Sequence, residues 1–230
     1  MIVASAAKAA FLSWCATQGV STPLELQWED TNGINKAPYR YMTCDVDVSP
    51  GDDILRVPLK ACLQADTLEA LAERLAHERS LGPNSDYAPY LDVLPTVEDG
   101  LENLPRFWSS GRLDSVTDGG LLLKRLASDE RKDVDPWALA CVDSRANYVK
   151  TKEGKDTYAM TPVLDMFNHD GIVSTKARVS VEEDMDVLSL QVNAPFPKGS
   201  QVYISYGDLS NLDTLCDYGF ISSDSDTPNP

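Results

Sequence analysis

The spacing of apolar positions changes period several times along the 230-residue chain. Over residues 5–18, Ala6, Ala9, Ala10, Leu12 and Trp14 recur on or near one side of a helical wheel, and Gly19 supplies the stop. An irregular stretch with Pro23, Gly33 and Pro38 follows. Residues 39–48 and 53–58 then predict two short strands joined by the turn Ser49-Pro50-Gly51. From about 66 to 142 the period is helical. Asp66 with Glu69 forms a capping pair ahead of Leu68, Leu71, Ala72 and Leu75. Asp135-Pro136 opens a further helix carrying Trp137, Leu139, Ala140 and Cys141, which runs out over residues 143–147. Alternation returns at Val179 and Val181, turns over 182–186, and resumes at Leu188, Leu190 and Val192, the pattern of a hairpin. Lys198-Gly199-Ser200 turns into a strand over 201–206. Ser210 with Asp213 caps a short helix that stops at Gly219. The tail 222–230 has the composition of a disordered segment. Short strands, a helical block and more short strands predict an α+β fold with a helical insertion at about 66–142.

Composition narrows the functional classes. Length suits one domain with a small insert, and 43% hydrophobic with 24% charged residues is ordinary for a globular chain. No apolar run is long enough to span a bilayer, and the alanine-rich start lacks the basic region of a signal peptide. A soluble intracellular protein is expected, with cytoplasm, nucleus and plastid all open. The net charge of −16 would repel phosphate backbones, which argues against direct nucleic-acid binding. It would attract a basic protein partner, or it serves only solubility. Cys15, Cys44, Cys62, Cys141 and Cys216 are odd in number and scattered, without a CxxC pair, so reduced and mostly buried thiols are expected in place of zinc ligands or a disulfide framework. Gly119-Gly120 has no preceding strand and no third glycine, which disfavours a doubly wound nucleotide-binding fold.

Chemistry concentrates in Asp165-Met166-Phe167-Asn168-His169-Asp170 and in Val202-Tyr203-Ile204-Ser205-Tyr206-Gly207. Taken alone, Asp165 and Asn168 could cap a turn with His169 packed nearby, and Tyr206 and Tyr218 could be core aromatics. Arg145 and Asp165 could equally be a buried ion pair. In order and spacing, however, these segments resemble the SET-domain lysine methyltransferases typified by the Rubisco large-subunit enzyme. Ser144-Arg145-Ala146 is similar to that family's "SRAF" segment, Asp165 to Asp170 to its "D-x-x-NHS" motif, and Tyr206-Gly207 and Leu215-Cys216-Asp217-Tyr218-Gly219-Phe220 to its "YG" and "LDYGF". The opening Phe11-Leu12-Ser13-Trp14-Cys15, the segment Gly51 to Pro58, and Tyr90 to Pro95 with Leu104 to Trp108 extend the resemblance over most of the chain. The segment 35–42 has no glycine where the family has a glycine-rich cofactor loop, and Asp170 stands in place of its serine.

The resemblance implies a SET domain over residues 1–221 without the family's C-terminal substrate-binding domain. It also implies S-adenosyl-L-methionine as methyl donor and a lysine of a protein substrate as acceptor. It assigns cofactor binding to Asn168, His169 and Arg145, catalysis to Tyr206, and substrate contact to Tyr218 and Asp165, with no metal. Those residue types suit the reaction. A lysine must lose a proton from a group of pKa roughly 10.4, at a cost of about 4–5 kcal/mol near neutral pH. An apolar, tyrosine-lined channel lowers that pKa, and a fixed hydroxyl aligns the nitrogen. A catalytically degenerate SET scaffold, or a fragment acting as a protein-binding module, is the competing reading.

Overall fold

The computed structural model describes residues 2–29, 39–115, 119–131, 133–151, 153–170, 175–182 and 185–221. The predicted glycine-poor segment lies partly outside these residues, and the tail 222–230 wholly so. Helix α1 (Ile2–Thr17) is followed by Gly19 at φ +80°, as the glycine stop predicts. Its buried face differs from the expected one. Ala6, Ala9, Ala10 and Leu12 are exposed, whereas Phe11 and Cys15 are buried with Ala7 and Trp14 packed beside them. These four positions keep helical spacing, and two aromatic rings withdraw far more apolar area from water than alanine methyls do.

The stretch expected to be irregular contains β1 (Leu24–Glu29), whose signal was the alternation of Leu24, Leu26 and Trp28. It pairs antiparallel over six residues with β2 (Tyr39–Cys44). Strand β2 stops at Cys44, short of the predicted residue 48, where the chain bends at residues 45–46 after a last bond from the Gly199 N–H to the Cys44 carbonyl at 2.7 Å. Val48 keeps an isolated bridge to Phe196. Strands β3 (Asp53–Pro58) and β4 (Leu63–Ala65) lead into the helical insert.

The insert comprises α2 (Leu68–Ser80), α3 (Ala88–Leu91), α4 (Ser110–Asp114), α5 (Gly119–Ala127) and α6 (Pro136–Arg145), separated by short 3₁₀ turns. The cap of α2 is Thr67, whose hydroxyl accepts from the Ala70 N–H at 3.1 Å, and not the predicted Asp66–Glu69 pair. Asp66 instead pairs with Lys155 at 2.7 Å. Leu71, Ala72 and Leu75 of α2 are buried where it packs on α6. Helix α6 is capped by Asp135, which accepts from the Ala138 N–H at 2.9 Å. Trp14 and Phe11 of α1 stack on Tyr90 of α3, with centroids 6.2 and 5.9 Å apart.

Strands β5 (Ala146–Lys150) and β6 (Asp156–Met160), unforeseen, join β4 in a sheet of order β4-β6-β5. Next come the two-residue β7 (Asn168–His169), the expected hairpin of β8 (Thr175–Glu182) and β9 (Met185–Val192), and β10 (Gln201–Ile204). The hairpin pairs with β3 in the order β3-β9-β8, and the remaining sheet runs β1-β2-β10-β7. Strand β10 ends at Ile204, two residues before the predicted limit, after which the chain bends through Gly207 at φ +119°. Helix α7 (Asn211–Asp213) carries the reciprocal Ser210–Asp213 cap and continues as a π-helical turn, Thr214–Tyr218, closed by Gly219. One hydrophobic core joins these parts, from Phe11 through Met42, Ile54, Leu75, Met160 and Phe167 to Val202. All five cysteines are buried. No helix among the described residues is long and apolar enough to cross a membrane.

Candidate active site

The motif at 165–170 leaves the core through a strained corner. Val163 has φ +71°, the one non-glycine residue with positive φ among those described. A β-branched residue there costs about 1–3 kcal/mol, tolerated because Val163, Leu164, Met166 and Phe167 are all buried. Strand β7 follows and pairs parallel with β10, setting Asn168 opposite Tyr203 and His169 opposite Ile204. The Asp170 N–H extends the ladder to the Ile204 carbonyl at 3.0 Å. Two segments far apart in sequence thus lie side by side, and Tyr206 emerges beside the Asn-His pair.

Asn168 spends both amide hydrogens inside the protein. Its Nδ2 donates to the Tyr39 hydroxyl at 3.0 Å and to the Arg40 carbonyl at 3.1 Å, which leaves Oδ1 for a ligand. His169 acts on Tyr206: its Nδ1 accepts the Tyr206 N–H at 3.1 Å, and the two rings lie 5.0 Å apart. Its ring is not part of the cavity wall.

The Tyr206 hydroxyl donates to the Phe167 carbonyl at 2.7 Å. That fixes the phenol and leaves its oxygen lone pairs available. Its ring stacks on Tyr218 at 4.7 Å and 24°. Burial pushes the Tyr206 phenol above its ordinary range, and burial together with Asp217 and Asp143 pushes Tyr218 to about 12. Both phenols are therefore neutral near pH 7. The π-helical turn presenting Tyr218 is pinned at Gly219, where a Cβ would lie 3.3 Å from the Cβ of Asn103. The φ of +79° favours glycine there, and the close approach adds to the cost of any side chain.

Arg145 is the last residue of α6, and its Nη1 donates to the Asp165 carbonyl at 2.7 Å. Its Nε is buried without an acceptor. The Asp165 carboxylate accepts the Tyr90 hydroxyl at Oδ2 (2.8 Å), while Oδ1 is buried without a donor. Burial raises the Asp165 carboxyl even though Arg145 acts in the opposite sense. Arg40, on β2, was not anticipated. Its Nη1 donates to the Val93 carbonyl, its guanidinium lies 4.5 Å from the Trp28 ring centroid, and its Nε has no acceptor.

These groups converge on a cavity of about 310 Å³, within the range of small-molecule sites. Five residues foreseen from sequence line it, namely Arg145, Asp165, Asn168, Tyr206 and Tyr218. Tyr39, Arg40, Asp99 and Phe220 join them, with Leu101 and Leu104 supplying apolar wall. Among the described residues no group of three His, Cys, Asp or Glu side chains is placed to hold a metal ion.

Three small sheets around a helical insert, with β7 parallel to β10 and the carboxyl-terminal tyrosine turn folded against them, define the SET-domain fold. Comparison with solved structures agrees. The SET domain of LSMT bound to methyllysine and AdoHcy is similar over 94% of this chain and 57% of that one, with TM-score 0.72 and 24% identity. Rubisco LSMT bound to AdoMet is similar over 95% and 57%, with TM-score 0.65 and 23% identity. Among curated proteins, human (Homo sapiens) SET domain-containing protein 4 is 25% identical over 184 residues, 67% of this chain and 41% of that protein. The actin-histidine N-methyltransferase of Callithrix jacchus is 36% identical over 185 residues, 69% of this chain and 30% of that protein. The chain therefore spans less than half the length of these curated relatives. No family model matches it.

Proposed function

We propose that this protein is an S-adenosyl-L-methionine-dependent methyltransferase acting on a lysine side chain of a protein substrate. The observation carrying this reading is the gathering of Arg145, Asp165, Asn168, Tyr206 and Tyr218 around one cavity. The unpartnered Arg145 Nε and Asp165 Oδ1 there suit a ligand bearing both a carboxylate and an ammonium, as the cofactor's amino-acid end does. When bound, the cofactor supplies a methyl group on a sulfonium, which leaves without help from a metal. Structures of relatives with AdoMet, AdoHcy and lysine support the same reading.

The chain's own residues position and dehydrate the acceptor. The stacked Tyr206 and Tyr218 form an apolar wall that disfavours an ammonium over a free amine. The Tyr206 oxygen, its proton committed to the Phe167 carbonyl, accepts an N–H of the incoming amine and fixes its lone pair. Because both phenols stay protonated near neutral pH, neither serves as the base, and the proton leaves to solvent. The Tyr206→Phe variant is expected to fold normally and lose methyl transfer by about 10²–10³-fold. Full activity in that variant would remove Tyr206 from the mechanism.

Histidine is the second acceptor to consider, on the ground that several relatives are actin-histidine N-methyltransferases. The pH profile separates the two. A lysine acceptor gives a rate that climbs through pH 8–9 as the amine is freed, whereas imidazole, with an unperturbed pKa of about 6.5, gives a plateau above about pH 7. Mass spectrometry of the modified residue gives the independent answer.

A further inference from the structure

Arg40 raises a question that the residues foreseen from sequence do not answer. Its side chain is largely buried, and among the described residues neither Arg40 nor Arg145 lies within 4 Å of a carboxylate oxygen in an ion pair. Each guanidinium is anchored through Nη1 to a main-chain carbonyl, Arg40 on Val93 and Arg145 on Asp165. Each keeps a buried Nε–H with no acceptor, and both residues line the same cavity. Burial and the neighbouring Arg145 lower the Arg40 guanidinium to about 10, with Asp165 and Asp99 acting in the opposite sense. Packing against Trp28 does not by itself require a charge, since a methionine would fill similar space without burying a cation. The two unpartnered Nε–H groups are left as donors for an anion, since neither Asp165 nor Asp99 satisfies them by a direct hydrogen bond.

Local structure places Arg40 for that task. Asn168 Nδ2 holds the Arg40 carbonyl, so the Asn-His motif fixes the backbone from which this arginine springs. Trp28, on the neighbouring strand of the same sheet, and the Val93 carbonyl, from the insert, fix the guanidinium itself. Arg40 also falls in the segment where glycine is absent, so a side-chain donor is present where a glycine-rich loop would offer only backbone.

We propose that Arg40 is a ligand-binding residue which, with Arg145, takes the carboxylate of the cofactor's α-amino-acid end. This rests on the methyltransferase reading of the cavity. Charge-assisted hydrogen bonds of this kind are among the stronger protein–ligand contacts, and a guanidinium with a free N–H edge matches carboxylate geometry.

The test is calorimetric binding of two probes to the wild-type protein and to the Arg40→Met and Arg40→Lys variants. S-Adenosylhomocysteine has the amino-acid end, and 5′-methylthioadenosine lacks it. Arg40→Met should weaken S-adenosylhomocysteine about 10–100-fold and leave 5′-methylthioadenosine within about twofold. Arg40→Lys should recover part of the loss, because it restores charge without the planar fork. Equal weakening of both probes would assign Arg40 to holding the wall in shape and overturn the proposal. Unchanged affinity for S-adenosylhomocysteine would overturn it as well. Failure of folded wild-type protein to bind either probe would instead defeat the methyltransferase reading, and this inference with it.

Discussion

Two arginine–aspartate clusters flank the end of α6, and they are built to opposite rules. Asp143 joins the first. Its Oδ1 accepts from Arg131 Nη1 at 2.7 Å, and its Oδ2 accepts from Arg106 at 2.6 Å and from Arg131 Nη2 at 3.0 Å. Asp129 completes it through Arg131 Nε at 2.9 Å and Nη2 at 3.0 Å. Hydrogen bonds from Arg131 hold Asp129 down to about 2, and the two aspartates raise the Arg131 guanidinium further. Two residues along the chain, Arg145 belongs to the second cluster, with Arg40, Asp165 and Tyr90. There Arg40 Nε, Arg145 Nε and Asp165 Oδ1 are all buried without partners. The same residue types make a closed network in one place and an open one in the other. A cavity of about 270 Å³ beside the closed cluster is lined by Arg106, Asp129 and Arg131, whose charges already pair with one another or with Asp143. Satisfied charges hold the insert together, and the unsatisfied ones gather where the proposed cofactor would bind.

The largest expected effect on stability tests the closed cluster. Asp143→Ala leaves two partly buried guanidiniums without their shared carboxylate and should cost about 2–3 kcal/mol, seen as a lower midpoint in denaturant. Affinity for S-adenosylhomocysteine should change little, since the open cluster keeps its groups. If affinity fell in step with stability, the two clusters would be one unit and the contrast would collapse.

Asp165→Asn should behave in the opposite way. Burial raises the Asp165 carboxyl, so its contribution to folding is most favourable at acid pH and is lost as pH rises through that raised value. Asparagine removes this penalty and still accepts the Tyr90 hydroxyl. The variant is expected to bind S-adenosylhomocysteine more weakly while changing stability at neutral pH by less than Asp143→Ala does. The lost favourable charge beside Arg145 and Arg40 offsets the removed burial penalty. A loss of stability comparable to that of Asp143→Ala would show that Asp165 is structural.

What sequence reading reached, and missed, follows the same division. Asp165, Asn168, Tyr206 and Tyr218 lie in ordered motifs, so their meeting at one cavity was legible before any coordinate. The hairpin of β8 and β9 was legible from period-two alternation, and α6 from Asp135-Pro136. Arg40 was not, because its segment was judged by the glycine it lacks, and its partners Trp28, Val93 and Asn168 are brought to it only by the fold. The resemblance assigns His169 to the cofactor through the backbone beside it; that its ring accepts the Tyr206 N–H, from 37 positions away, is visible only in the fold. Strand β5 escaped notice because Tyr148 is exposed and only Val149 of its five residues is buried, too little for alternation to register. The α1 face was misjudged because alanines were counted equally with Phe11, although burial energy scales with area.

The smallest expected effect concerns Asp217, next to Tyr218 and electrostatically linked to Asp143 and Arg106 of the closed cluster. Burial raises its carboxyl to about 6, with Arg125, 3.6 Å away, acting against that rise and Asp143 adding to it. The folded chain therefore holds this proton more tightly than the unfolded chain, and stability should fall as pH climbs from about 4 to about 6 before levelling off. Asp217→Asn should flatten that segment of the stability–pH curve and leave the region above pH 7 parallel to wild type. The change also removes a negative charge that helps to raise the neighbouring Tyr218, so the Tyr218 phenol should titrate at a lower pH in the variant, measurable by ultraviolet absorbance. An unchanged curve between pH 4 and 6 would mean that solvent reaches Asp217 freely, and that the π-helical turn presenting Tyr218 is more open than its packing on Asn103 indicates.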